Sequence, residues 1–414
     1  MKHFLISISL LLLFAACHKD EKKDPQLSKG RRTVIVYVSA DNTLSSFTYS
    51  DLQELVNGAR NQLSNDDRLV MFVDRISTKE MPFIARIKND ATQPVDTLYK
   101  YSEDFYASDP KNFNEVLSRA VSLCPANEYG LVLWGHASGW NIEKNSLQAA
   151  PFRRAYGIDN GNTSASNNNG PWLNIPDMRS ALEQLGVKWR FIFADCCNMQ
   201  CVEVAYELRN CADYLIGSPA EIPGEGAPYD KIVKDFFSQS DAFYADIVDT
   251  YANAYPDYLP LSAIRLSAME PLAIATKAVL PAVKEHLQQG DEAATKGIIY
   301  YFSPKGRYDD VNKSMYDMND MLRTALSEQP EAYDAWHQAL TAAVPKRVTS
   351  GMWETMSTNT VNFSDFTVTD QKQGCVSMFF PLDKYSSTSC IYSYNTDIRQ
   401  MQWYEAVGWS TVGY

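Results

Sequence analysis

Short, nearly unbroken apolar runs alternate in the first half of the chain with stretches whose apolar residues recur at helical spacing. The runs are Val34–Ser39, Leu69–Val73, Leu131–Leu133, Phe191–Phe193 and Tyr214–Ser218. Each is bounded by polar or turn residues, which predicts strands buried on both faces. Between them Leu52 and Leu55 fit a helix. So do Asn112–Leu123, through Phe113, Val116, Leu117 and Ala120, and Asn174–Leu185. Strands alternating with helices of this length imply βαβ units around a mainly parallel sheet, an α/β class of fold. After about Tyr229 the pattern changes. Ile232–Phe237, Ala242–Tyr255, Pro271–Leu287, Met315–Leu326 and Ala332–Val344 read as amphipathic helices, and Leu261–Leu266 and Cys375–Phe380 as strands. The expected division is residues 33–228 as an α/β domain and 229–414 as a mostly helical extension packed on it.

The predicted strand ends carry the candidate chemistry. The Phe191–Phe193 strand leads through Asp195 to Cys197, and the periodicity through Met199, Val202, Ala205 and Leu208 places a helix directly after it. A thiol at that junction would face unpaired backbone N–H groups and the positive end of the helix dipole, which favour the thiolate. The Leu131–Leu133 strand delivers His136 into a loop of small residues. Strand carboxyl ends are where sites collect in open α/β sheets. Of the other histidines, His3 and His18 precede the folded part, and His286 and His337 lie in helical patterns. A cysteine nucleophile with a histidine acid/base would therefore use Cys197 and His136. The plainer alternative, a cysteine that is simply a small buried hydrophobe, stays open on these residues alone.

The amino terminus is a targeting segment. Lys2 precedes an apolar run from Phe4 to Ala16 that is shorter than the roughly 20 residues of a membrane span. Phe14-Ala15-Ala16-Cys17 looks like a lipobox, which predicts residues 1–16 as a signal peptide and Cys17 as a lipidated anchor. Residues 17–32 then form a charged tether. Lys19-Asp20-Glu21 resembles the basic-then-acidic signal of lipoproteins sent to the outer face of some anaerobes, which points to the outer membrane of the cell envelope and to the exterior.

A net charge of −12 excludes a nucleic-acid partner and suits basic substrates. Eight cysteines, with Cys17 set aside, leave an odd number, hence at least one free thiol. Cys196, Cys197 and Cys201 with His136 make a poor zinc site, because adjacent cysteines serve a tetrahedral ion badly and no CxxC pair exists. No metal site is assigned.

LVLWGHASGW (131–140), DCCNMQCVEVAYELR (195–209) and ADYLIGSPAEIPGEGAPYD (212–230) together resemble the clostripain-like cysteine peptidases, most strongly between Leu131 and Tyr229. That resemblance implies a caspase-like α/β/α sandwich with Cys197 as nucleophile, His136 as its partner and the N–H groups of Ala137 and Cys197 as oxyanion donors. The segment departs from the family pattern twice: Ala137 stands for a glycine, and Cys196 for the alanine of Asp-Ala-Cys. The family cuts after Arg or Lys. The resemblance puts the acid of its S1 pocket at Asp195, and Glu225 or Glu221 follow the next strand as candidates for a second acid. A helix N-cap is the other reading of Asp195. Members process themselves at basic residues in the long polar loop after the histidine, here Lys144, Arg153 or Arg154, and some need Ca2+. No oxygen-rich loop of calcium spacing is evident here. The expectation is a lipid-anchored cysteine endopeptidase acting on proteins or peptides with Arg or Lys at P1. Its alternative is an inactive surface-binding lipoprotein on the same fold.

Overall fold

The computed structural model describes residues 27–60, 62–77, 79–142, 155–161, 170–303, 313–355, 361–386 and 394–414. Cys17, Lys144, Arg153 and Arg154 lie outside them. Twelve described strands form two sheets. The larger is built from β1 (Gly30–Ala40), β2 (Asp67–Arg75), β3 (Phe83–Ile87), β4 (Val95–Lys100), β5 (Ala126–Trp134), β6 (Trp189–Asp195), β7 (Ala212–Gly217), β8 (Leu261–Arg265) and β11 (Lys346–Val348). Its order is β11-β8-β7-β6-β5-β1-β2-β3-β4. The five central strands run parallel, as their apolar runs predict, and antiparallel strands close both edges. The smaller sheet joins β9 (Tyr300–Phe302), β10 (Ser314–Asp317) and β12 (Ser377–Met378).

Period-2 alternation divides the central strands between two cores. Along β6, Ile192 and Ala194 enter one apolar cluster, while Phe191 and Phe193 enter the other. Helices α1 (Thr48–Ala59), α5 (Tyr229–Phe236) and α6 (Phe243–Ala254) cover the second cluster. The first is covered by α2 (Pro110–Leu123), α3 (Ile175–Gln184), α4 (Val202–Glu207) and α7 (Met269–Leu287). The architecture is thus the expected three-layer α/β sandwich. Residues on both sides of position 228 build it: β8 and β11 extend the sheet beyond β7, and α5 and α6 close one face.

One hairpin is new and two local expectations are corrected. The β3–β4 hairpin was not anticipated, because its strands are partly exposed and mix charged with apolar residues. The helix predicted from Met315 begins at Met318; residues 314–317 are β10, and the Asp317 side chain caps the helix by accepting from the Asp320 N–H at 3.0 Å. The helix predicted directly after Cys197 starts only at Val202, with Cys201 as its N-cap.

Candidate active site

Parallel pairing of β5 with β6 puts Trp134 opposite Asp195, so His136 and Cys197 lie two residues beyond matched positions on adjacent strands. Neighbouring strands are about 4.8 Å apart, so this register alone brings the two residues to one place. The turn that carries His136 needs glycine. Gly135 has φ +149°, and a Cβ there would lie 2.9 Å from the Ser39 carbonyl oxygen. The His136 carbonyl accepts from the Gly157 N–H at 2.8 Å, and Ser138 N–H donates to Ala155 at 3.0 Å. These bonds flank the Ala137–Tyr156 bridge, so the Ala137 N–H takes no part in that pairing.

His136 Nε2 lies 2.7 Å from Thr43 Oγ1. Thr43 sits in the turn after β1, which Asn42 shapes by donating to the Ser39 and Ile158 carbonyls and accepting from the Leu44 N–H. In the sequence Asp41-Asn42 signals only a turn. Its position at the end of the strand beside β5 gives it a part in orienting the histidine.

The two adjacent cysteines separate cleanly. Cys197 packs with the Phe191–Phe193 face and borders a cavity of about 290 Å³. Cys196 faces the opposite core, is fully buried, and has its thiol pushed well above the ordinary range by burial and then by Cys197 and Asp195. After Cys197 the chain turns at Asn198, whose φ is +60°, and Asn198 bonds to the 219–220 loop through its N–H and its side chain. Six residues separate β6 from α4, and α4 is itself only six residues long, so no helix dipole acts on Cys197 as its helical pattern suggested. None of the six cysteines among the described residues is joined in a disulfide.

The cavity is bordered by His136, Cys197, Trp134 and the turn at residues 222–226, with Asp195 and Glu354 as its acids among the described residues. Asp195 is buried and does not cap a helix. Its Oδ2 accepts from Tyr229 Oη at 2.6 Å and the Ala227 N–H at 3.1 Å; Oδ1 accepts from Tyr251 Oη at 3.1 Å. Burial pushes its carboxyl above the usual range against those three donors. Gly226, at φ +67°, lies so close that a Cβ would stand 2.8 Å from Oδ2. Behind Trp134, whose indole N–H donates to it at 2.6 Å, Asp51 is pushed up to about 7 by burial and by Asp195. The other two candidate acids lie elsewhere. Glu225 is exposed and Glu221 is buried in a backbone bridge with Glu354; neither borders the cavity. Glu354, which does, was not anticipated.

A model of the Clostripain family matches residues 36–412, nearly the whole chain. The chain belongs to the clostripain family. It is similar to a secreted C11 cysteine protease from Bacteroides thetaiotaomicron, solved in complex with an irreversible peptide inhibitor. Identity is 28%, the TM-score 0.73, and the match covers 92% of this chain and 100% of that one. An inactive zymogen C11 protease from Parabacteroides distasonis shares the fold at 23% identity and TM-score 0.70, over 92% of this chain and 99% of that one. A comparison with curated proteins finds no match. Like its family, this chain is a cysteine peptidase with the caspase-like sandwich.

The resemblance also raised calcium. Among the described residues no three His, Cys, Asp or Glu side chains converge as metal ligands do. Two acids do gather, one of them without a donor. Asp74, at the end of β2, is buried against Asp159, and neither of its oxygens has a hydrogen-bond donor. Burial and then Asp159 push Asp74 well up; Asp159, which accepts from the Ala107 and Gly161 N–H groups, is pushed by burial to about 7. Both groups hold protons more tightly folded than unfolded. Between pH about 4 and 7 the folded state therefore binds the extra protons, and stability falls as pH rises through that window. Asp74→Asn supplies an N–H to Asp159 and removes the repulsion. It is expected to raise stability at pH 8 by about 1–3 kcal/mol and by much less at pH 5. Thermal unfolding at the two pH values checks this; an equal shift at both would refute the account.

Proposed function

We propose that this clostripain-family peptidase is an endopeptidase that cuts after Arg or Lys with Cys197 as nucleophile and His136 as its acid/base. One observation carries the reading: matched strand ends bring His136 and Cys197 to a single cavity that also holds a buried carboxylate. His136 takes the Cys197 thiol proton, the sulfur attacks the carbonyl carbon, and the carbonyl π electrons pass to oxygen. In this reading the N–H groups of Ala137 and Cys197 receive that oxyanion; one such donor is typically worth about 2.7–4 kcal/mol of barrier. When the intermediate collapses, the C–N bond breaks and the leaving amine takes a proton from His136. Water then hydrolyses the thioester with His136 as base, which restores the thiol. Thr43 holds the imidazole plane while this happens.

The Arg/Lys preference rests on sign and position. A side chain entering beside Cys197 meets Asp195, with Asp51 behind it, and a guanidinium or ammonium relieves the repulsion between those acids. The test is hydrolysis of matched peptide amides with Arg, Lys, Asp or Leu at P1. Preferential cleavage of the Asp or Leu peptides would sink the preference.

The reading places the enzyme on a membrane through lipid on Cys17, supported by the Phe14–Cys17 motif closing an apolar run too short to span. Cys17→Ser is expected to release the protein from membranes or leave its leader uncleaved. Unchanged fractionation with normal processing would overturn the anchor.

A further inference from the structure

Sequence order gives no hint of the second acid of the cavity, because Glu354 lies 157 positions after Cys197. Its place is nevertheless well defined. The neighbouring Trp353 is buried among aromatic rings, with centroids 5.1 Å from Tyr301, 4.8 Å from Phe363 and 5.7 Å from Phe366. The backbone of Glu354 bridges to Glu221, in the loop after β7, and Tyr258 Oη donates to Glu354 Oε2 at 2.9 Å. A half-buried carboxylate is thereby fixed on a wall of the cavity, while Asp195 enters from the end of β6.

The two acids differ in what they can still accept. A carboxylate offers about four lone-pair sites, and three at Asp195 already receive Tyr229, Tyr251 and Ala227. Glu354 carries the Tyr258 hydroxyl on one oxygen. A guanidinium brings five N–H donors in a planar fork that points in more than one direction, so it gains from acceptors on two walls. An ammonium is a compact point charge that a single acid and water can satisfy.

We infer that Glu354 is a specificity-determining residue that receives the outer N–H groups of a P1 arginine and so favours Arg over Lys. The inference rests on the Arg/Lys reading of the cavity and adds to it a residue from the C-terminal half of the chain. That half then helps to form the substrate site as well as packing on the sheet.

The test is kcat/KM on matched peptides with Arg, Lys or norleucine at P1, for wild type, Glu354→Gln and Tyr258→Phe. Glu354→Gln keeps an acceptor for the Tyr258 hydroxyl and removes the charge. It is expected to lower the Arg value about tenfold or more, chiefly through KM, and the Lys value less than about threefold, with norleucine unchanged. Tyr258→Phe loosens the carboxylate and is expected to move the Arg-to-Lys ratio the same way by a smaller factor. A wild type with no preference for basic residues removes the underlying reading. A wild type that prefers Arg and Lys, with a ratio unmoved by Glu354→Gln, overturns the inference alone. Equal losses on all three peptides with a lower Tm overturn it too, because they mark Glu354 as a structural support.

Discussion

Cys197→Ala is expected to abolish peptide hydrolysis and Cys196→Ala to retain most of it, the largest expected contrast between two neighbouring residues in the chain. The structural reason is alternation along β6 and its continuation. Ile192, Ala194 and Cys196 belong to one core, Phe191, Phe193 and Cys197 to the other. Cys197 thereby borders the cavity that contains His136, while Cys196 has no exposed surface. Burial holds the Cys196 thiol well above its ordinary range, so it stays protonated and unreactive near neutral pH. Losing its sulfur leaves a small void that costs roughly 1 kcal/mol of stability, not activity. Amide hydrolysis together with mass-mapped labelling by a small thiol reagent checks both halves. Retained activity in Cys197→Ala, or its loss in Cys196→Ala, would reverse the assignment.

Asp195→Asn is expected to depress cleavage after Arg and Lys by some tens- to thousands-fold in kcat/KM, the range for breaking a charged pair in a desolvated pocket at about 2–5 kcal/mol. Labelling of Cys197 by a small uncharged reagent should change little, since that reagent does not use the pocket charge. The structure identifies the competing role. Asp195 is not a helix cap; it gathers Tyr229, Ala227 and Tyr251 from the segment that covers the sheet. An asparagine can keep that network, its oxygen accepting from Tyr229 and Ala227 while its amide donates to the Tyr251 oxygen. The variant therefore removes charge while sparing packing. A purely structural Asp195 would instead lower Tm, labelling and hydrolysis together. Full Arg and Lys activity in a folded Asp195→Asn protein would remove the acid from the pocket.

The pocket role of Asp195 came only from the resemblance to the clostripain-like peptidases, whereas His136 and Cys197 are singled out locally by the sequence. Central parallel strands are buried on both faces, so β1, β2, β5, β6 and β7 appear as apolar runs that need no tertiary information to recognise. Once those runs are read as adjacent parallel strands, residues just past their carboxyl ends become site candidates, which is how His136 and Cys197 are found. In the sequence, the helical register through Met199 and the family segment point to Cys197 over Cys196, and the alternation seen in the structure agrees.

What lay beyond the sequence depends on contacts between distant positions. Helical spacing after Cys197 begins before the helix does. The chain first bonds to the 218–220 loop through Asn198 and Gln200, and those long-range bonds postpone α4 to Val202. Thr43 meets His136 only because β1 lies beside β5, although 93 positions separate the two residues. Asp195 became a hub for tyrosines 34 and 56 positions later, whose hydroxyls carry no motif. Glu225 and Glu221 were near the site in sequence yet do not border the cavity, whereas Glu354 reaches it from the far half of the chain. Local hydrophobic pattern thus revealed the central parallel strands and the candidate pair just past their ends, because burial and periodicity are written residue by residue. The lining of the pocket was decided by packing, because which acid reaches a cavity depends on how loops cross one another in space.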